Sequence, residues 1–134
     1  NLDNITLLPL GTKTDIMIEA LNEGQILALA SDQNAESKGI YVPFFGKKAS
    51  IPKGPAYFYY KTKLPLLIGF CMLNRDNTYT FKVKEIKLNN DLKNINDLFM
   101  EVSTIYNKIL EDKIKEYPEQ YFWFHRKWDR EIYK

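Results

Sequence analysis

At 134 residues, with 45% hydrophobic and 14% aromatic content, the chain is long enough for one domain with one apolar core and too apolar to remain disordered. A net charge of +2 favours neither nucleic acid nor anionic lipid, and no apolar run reaches the roughly 18–20 residues that span a bilayer. The single cysteine, Cys71, excludes an internal disulfide and a thiolate metal site; lying in an apolar run, it is expected as a buried thiol in a reducing compartment.

The first residue is Asn rather than Met, so the chain is expected to be a piece of something longer. Residues 5–10 form a short apolar run containing a proline and predict a strand or strand end. A helix follows from Thr12 or Thr14, either of which can cap it, to Glu23, and stops at Gly24. The run Ile26-Leu27-Ala28-Leu29-Ala30 within residues 25–31 predicts a strand buried on both faces. Residues 32–50 start polar, become strongly aromatic, and predict an ordered functional loop. Ser50 and the proline at 52 mark the start of a second helix over 52–62. A second apolar strand over 64–73 and a turn over 74–77 come next. Residues 78–86 alternate, with Tyr79, Phe81 and Val83 on one side and Thr80, Lys82 and Lys84 on the other, which predicts a half-exposed antiparallel strand. The clearest element is a long helix over 95–116 with Asn94 as its cap, Leu98, Phe99, Val102, Ile105, Tyr106, Ile109 and Ile114 at helical spacing, and Pro118 beyond its end. The aromatic tail 121–124 is expected to pack.

Strand 25–31, helix 52–62 and strand 64–73 together make a βαβ unit. The expected fold is therefore α/β: a mixed, mainly parallel sheet with helices on both faces, an antiparallel hairpin and a long C-terminal helix, all in one domain. Ligands bind beyond the C-terminal ends of parallel strands, and Asp32 and Gln33 stand at such an end. Asp32 can equally serve by capping its loop. Lys53-Gly54-Pro55-Ala56 opens a helix but carries no nucleotide-loop pattern. His125-Arg126-Lys127-Trp128 packs one titratable ring, two cations and one aromatic into four residues. With no nucleophile in a recognisable setting it makes neither a triad nor a zinc site. Sixteen of the nineteen basic residues are Lys, so the few Arg, among them Arg126, hint at bidentate anion binding. The aromatics lie mainly at core periodicities, which argues against nucleic acid.

Taken in order, Asp32-Gln33, Phe44-Phe45-Gly46, Gly54-Pro55-Ala56 and the run from Pro118-Glu119-Gln120 through His125-Arg126-Lys127-Trp128 resemble the second half of the lauroyl/myristoyl-type acyltransferases of lipid A biosynthesis, in the lysophospholipid acyltransferase superfamily. Lys127 stands where the family carries a second Arg. The resemblance implies a partial fold of that superfamily. It also implies transfer of a fatty acyl group from an acyl carrier protein thioester to a hydroxyl of a lipid A precursor, at the cytoplasmic face of the inner membrane with peripheral membrane contact, and no cofactor. On that basis Asp32, Gln33, Arg126, His125 and Lys127 are substrate-side candidates that contact or brace the phosphorylated sugar. Phe44, Phe45 and Tyr57 are candidates for an acyl-chain pocket, and equally for plain core. The family's catalytic His, followed after four residues by Asp or Glu, is not found: five residues beyond His125 stands Arg130, and Asp129 comes one too early. No catalytic residue is therefore assigned, and the chain alone is expected to be inactive and to self-associate through an unfinished sheet edge. The alternatives are a different lysophospholipid or glycolipid acceptor, or a non-catalytic module for anionic lipid or carrier protein.

Overall fold

The computed structural model describes residues 4–9, 11–89 and 94–133. Its elements are α1 (Thr14–Asn22), β1 (Ile40–Phe44), β2 (Lys47–Ile51), α2 (Gly54–Thr62), β3 (Leu67–Leu73), β4 (Tyr79–Glu85) and α3 (Ile95–Glu116). Short helical turns lie at Glu36–Lys38, Pro118–Gln120 and Arg130–Tyr133. The class is mixed α/β, but among the described residues there is no parallel sheet of the kind expected. Instead β1 pairs with β2 and β3 with β4, giving two separate antiparallel hairpins.

The correction traces to residues 25–31. Among the described residues this run joins no ladder, and Ile26 is 90% exposed. An apolar run becomes a two-face-buried strand only with neighbours on both edges and cover on both faces; without them the βαβ unit has no first strand. Residues 5–9 are likewise irregular, and Leu10 lies outside the described residues. At α1 neither threonine caps: Lys13 holds the cap position, and the Thr12 hydroxyl donates back to the Pro9 carbonyl. The helix still ends before Gly24, whose φ of 87° suits a residue without Cβ.

The expected loop over 32–50 contains the β1–β2 hairpin. Its two-residue turn is Phe45-Gly46, with φ of 48° and 73°, the double positive-φ geometry that matches strand twist. Glycine adopts it freely, whereas a bulky side chain such as Phe45 is strained there. The Phe45 N–H donates to Glu111 Oε1 of α3 at 2.8 Å, which ties the strained turn to the long helix. Ser50 is a β2 residue rather than a helix cap, so α2 begins at Gly54, with Pro55 in its first turn.

Helix α3 matches its sequence periodicity. Asn94 Oδ1 accepts from the N–H groups of Asn96 and Asp97 at 2.9 and 3.0 Å, as an N-cap should. Two core clusters form along this helix. Val42, Phe44, Ala49 and Ile51 pack on Leu110 and Ile114, while Ala56 packs on Leu98, Phe99 and Val102. The β3–β4 hairpin turns Ile68 and Met72 inward. Its opposite face carries Leu67, Cys71, Leu73, Tyr79, Phe81 and Val83, all exposed. Cys71 is therefore not a core thiol. Phe81 lies across Gly69, where an added Cβ would meet the ring at 2.7 Å. The tail also differs from expectation: Tyr121 packs on the first cluster, but Phe122, Trp123 and Phe124 are exposed.

Candidate functional site

Two segments nearly a hundred residues apart meet beside β1 and β2. Lys127 Nζ donates to the main-chain oxygen of Asp32 at 2.6 Å. The N–H of Asn34 donates to His125 Nε2 at 2.9 Å, so this ring nitrogen serves as the acceptor. Asn34 Oδ1 in turn accepts from the Glu36 N–H at 2.8 Å, the local turn habit of Asn. On its far side the loop is fastened to β2: the Ala35 N–H donates to the Ser50 carbonyl at 3.2 Å and the Ser50 hydroxyl to the Glu36 carbonyl at 2.6 Å. Gly39 permits this approach, because a Cβ there would lie 2.1 Å from Ser50 Oγ.

The C-terminal segment acts as a strap. Trp128 bridges Ala49 through its main chain, and its Nε1 donates to the Phe44 carbonyl at 3.1 Å. Its ring lies 5.6 Å from that of Phe44. His125 is half-buried and Lys127 fully buried, while Arg126 between them is exposed. Lys127 is 1% exposed, with Nζ 5.3 Å from the Phe44 ring centre. The fully buried Phe44 thus sits under the strap.

Burial pushes the Lys127 ammonium down to about 8, against a smaller opposing pull from Asp32. Burial, then the Asp32 charge, then Tyr133 push the Tyr121 phenol up to about 12. Tyr106 is raised further, by burial first and then by Asp32 and Tyr121. Asp32 is thus the negative centre of a group made by Tyr106, Tyr121 and Lys127.

The pH dependence follows from these shifts. Between about pH 8 and 10.5 the unfolded chain holds more protons at Lys127 than the folded one, so stability rises with pH. Above about pH 10 the unfolded chain loses tyrosine protons that the folded chain keeps, so stability falls again. Thermal melts of the chain are expected to show a maximum between about pH 9 and 10. Lys127→Met should remove the rising limb, and a rising limb that survives in this variant would assign it to another group.

Of the substrate-side candidates, the structure brings Asp32, His125 and Lys127 into one contact set, with Gln33 and Arg126 exposed at its rim. The three acyl-pocket candidates do not share one cavity. Phe44 is in the first core cluster, Phe45 packs half-buried against it, and Tyr57 packs on the second. A small open cavity lies elsewhere, between β3 and the C-terminal half of α3. It measures about 100 Å³ and is lined by Phe70, Met72, Leu110, Ile114, Tyr117 and Tyr121 among others. That is well below the roughly 300–1,000 Å³ of small-molecule sites.

Sequence reasoning missed Asn34, Asn107 and Glu111. Asn107 is buried on α3 and donates to the Pro43 carbonyl at 3.0 Å, with its Oδ1 left without a partner. The available signal was the polar residues Ser103 and Asn107 standing at buried positions on an otherwise apolar helix face. No metal-binding group of three or more His, Cys, Asp or Glu exists among the described residues, and no helix there is long and apolar enough to cross a membrane.

A mixed α/β chain whose acidic loop is strapped down by a His-Arg-Lys-Trp segment is what the family comparison then places. The model of the bacterial lipid A biosynthesis acyltransferases matches residues 2–130, and the chain belongs to that family. The general function is that of an acyltransferase of lipid A biosynthesis, with an acyl donor and a lipid acceptor. No curated protein matches the chain.

Proposed function

We propose that the chain forms the acceptor-side part of an enzyme that moves a fatty acyl group from an acyl carrier protein thioester to a hydroxyl of a lipid A precursor. The observation that carries this reading is the convergence of the Asp32–Asn34 loop and the His125–Trp128 strap, two of the segments that bear the family resemblance. In the reaction the acceptor oxygen bonds to the thioester carbonyl carbon, the carbon–sulfur bond breaks, and the carrier thiol takes up a proton. His125 is not the base on this reading. Its Nε2 is engaged by the Asn34 N–H, and it lacks the spaced carboxylate that would orient a base.

The reaction takes place at the cytoplasmic face of the bacterial inner membrane, with peripheral contact. Gln33 and Arg126, exposed beside Asp32, face the phosphorylated sugar, while Phe45 and Tyr57, both half-buried, are the acyl-chain candidates still accessible to a ligand. The exposed face of the β3–β4 hairpin is the surface through which the isolated chain is expected to self-associate.

The test is acyl transfer by the full-length protein, given acyl-loaded carrier protein and a lipid A precursor and followed by mass spectrometry. An acylated precursor is expected. Acylation of a lysophospholipid alone would move the acceptor, and no transfer to any lipid would leave a non-catalytic binding module. Arg126→Lys in the same assay should raise the KM for the phosphorylated acceptor about tenfold, since a point charge replaces a two-pronged donor. An unchanged KM would remove the anion contact.

A further inference from the structure

The geometry points to Lys127 as a positioning residue: with His125 it holds the Asp32–Asn34 loop by its main chain and so fixes where the Asp32 carboxylate stands, without itself touching substrate. Its consequence for catalysis rests on the acyltransferase reading above, whereas the brace itself does not.

Three observations support it. Lys127 is 1% exposed, so its ammonium is shut off from a substrate at the surface. Its hydrogen bond at 2.6 Å goes to the Asp32 main-chain oxygen rather than to the carboxylate, so holding the loop does not occupy the side chain's oxygens. Two residues away along the loop, the Asn34 N–H is held at 2.9 Å by His125, two residues away along the strap. The loop and strap are therefore joined at two points at matching spacing. Burying an ammonium is costly unless it is paired. Here the carbonyl of Asp32, its nearby charge and the face of Phe44 are the compensation. The neighbouring phenols of Tyr106 and Tyr121, pushed up by burial first and then by Asp32, add no charge that competes with Lys127.

The test uses the full-length protein and two readouts. Lys127→Met should lower kcat about 10- to 30-fold with KM for the acceptor unchanged, and should speed amide hydrogen exchange at Asn34. Lys127→Arg, which keeps a buried cation and donor, should recover most of kcat. His125→Phe should release the same loop from its other point, so the double variant should lose little more than the worse single one. A rise in KM without loss of kcat would make Lys127 a substrate ligand and overturn the proposal. So would multiplicative losses in the double variant, or unchanged exchange at Asn34 in a folded Lys127→Met. Should Lys127→Met fail to fold, His125→Phe carries the same two readouts. Were the wild-type enzyme to transfer no acyl group, the function would fall, while exchange at Asn34 would still decide the brace.

Discussion

Phe44→Ala is expected to lower the stability of the chain by about 3–5 kcal/mol, the usual range for emptying a fully buried aromatic site. Phe44 is 0% exposed. Its ring meets Phe45 edge-on at 4.9 Å, Trp128 at 5.6 Å and Tyr121 at 6.4 Å, and takes the Lys127 ammonium on its face at 5.3 Å. Removing it therefore takes away apolar burial, several aromatic contacts and the surface against which a buried cation rests. Since domains hold only about 5–15 kcal/mol in total, this removes a large share of the chain's stability. Urea denaturation gives the measurement. Phe124→Ala, which removes a ring 92% exposed, should stay within about 0.5 kcal/mol of wild type. A loss under about 1 kcal/mol for Phe44→Ala would contradict its place in the core and restore it to the acyl pocket.

Asp32→Asn in the full-length enzyme should lower turnover about 100-fold, the scale of losing one preorganised electrostatic group, with stability changed by no more than about 1 kcal/mol. The separation is expected because the brace uses the Asp32 main-chain oxygen, which Asn retains. The substitution removes the charge that otherwise bears on Lys127, Tyr106 and Tyr121. Two titrations follow from this: the Tyr121 phenol should move back toward its ordinary range, visible in the ultraviolet, and the Lys127 ammonium should fall further. The decisive comparison is between turnover and the thermal midpoint. An activity loss fully matched by a drop in midpoint would leave Asp32 as a loop cap and nothing more.

How much of this was legible in the sequence depended on the range of the interaction involved. Helix α3 was readable to its ends because helical periodicity, the Asn94 cap and Pro118 are local signals. The β3–β4 hairpin was readable from the alternation in 78–86 and the intervening turn. Motif order alone pointed to the family that the comparison then showed. Tertiary structure decided the rest. Whether 25–31 becomes a strand depends on partners that periodicity does not report, and among the described residues it has none. Which face of β3–β4 is covered likewise follows from where α3 lies, so Cys71 is exposed despite its apolar run, and Phe81 and Val83 share its exposed face. Most consequentially, His125, Arg126 and Lys127 are neighbours in a short polar run, and nothing local tells them apart. The fold buries the third, half-buries the first and leaves the second exposed, and it supplies Asn34 and Asp32 to meet His125 and Lys127. The run's chemistry was written in its residues; their division into brace and exposed cation was set by contacts more than ninety residues away.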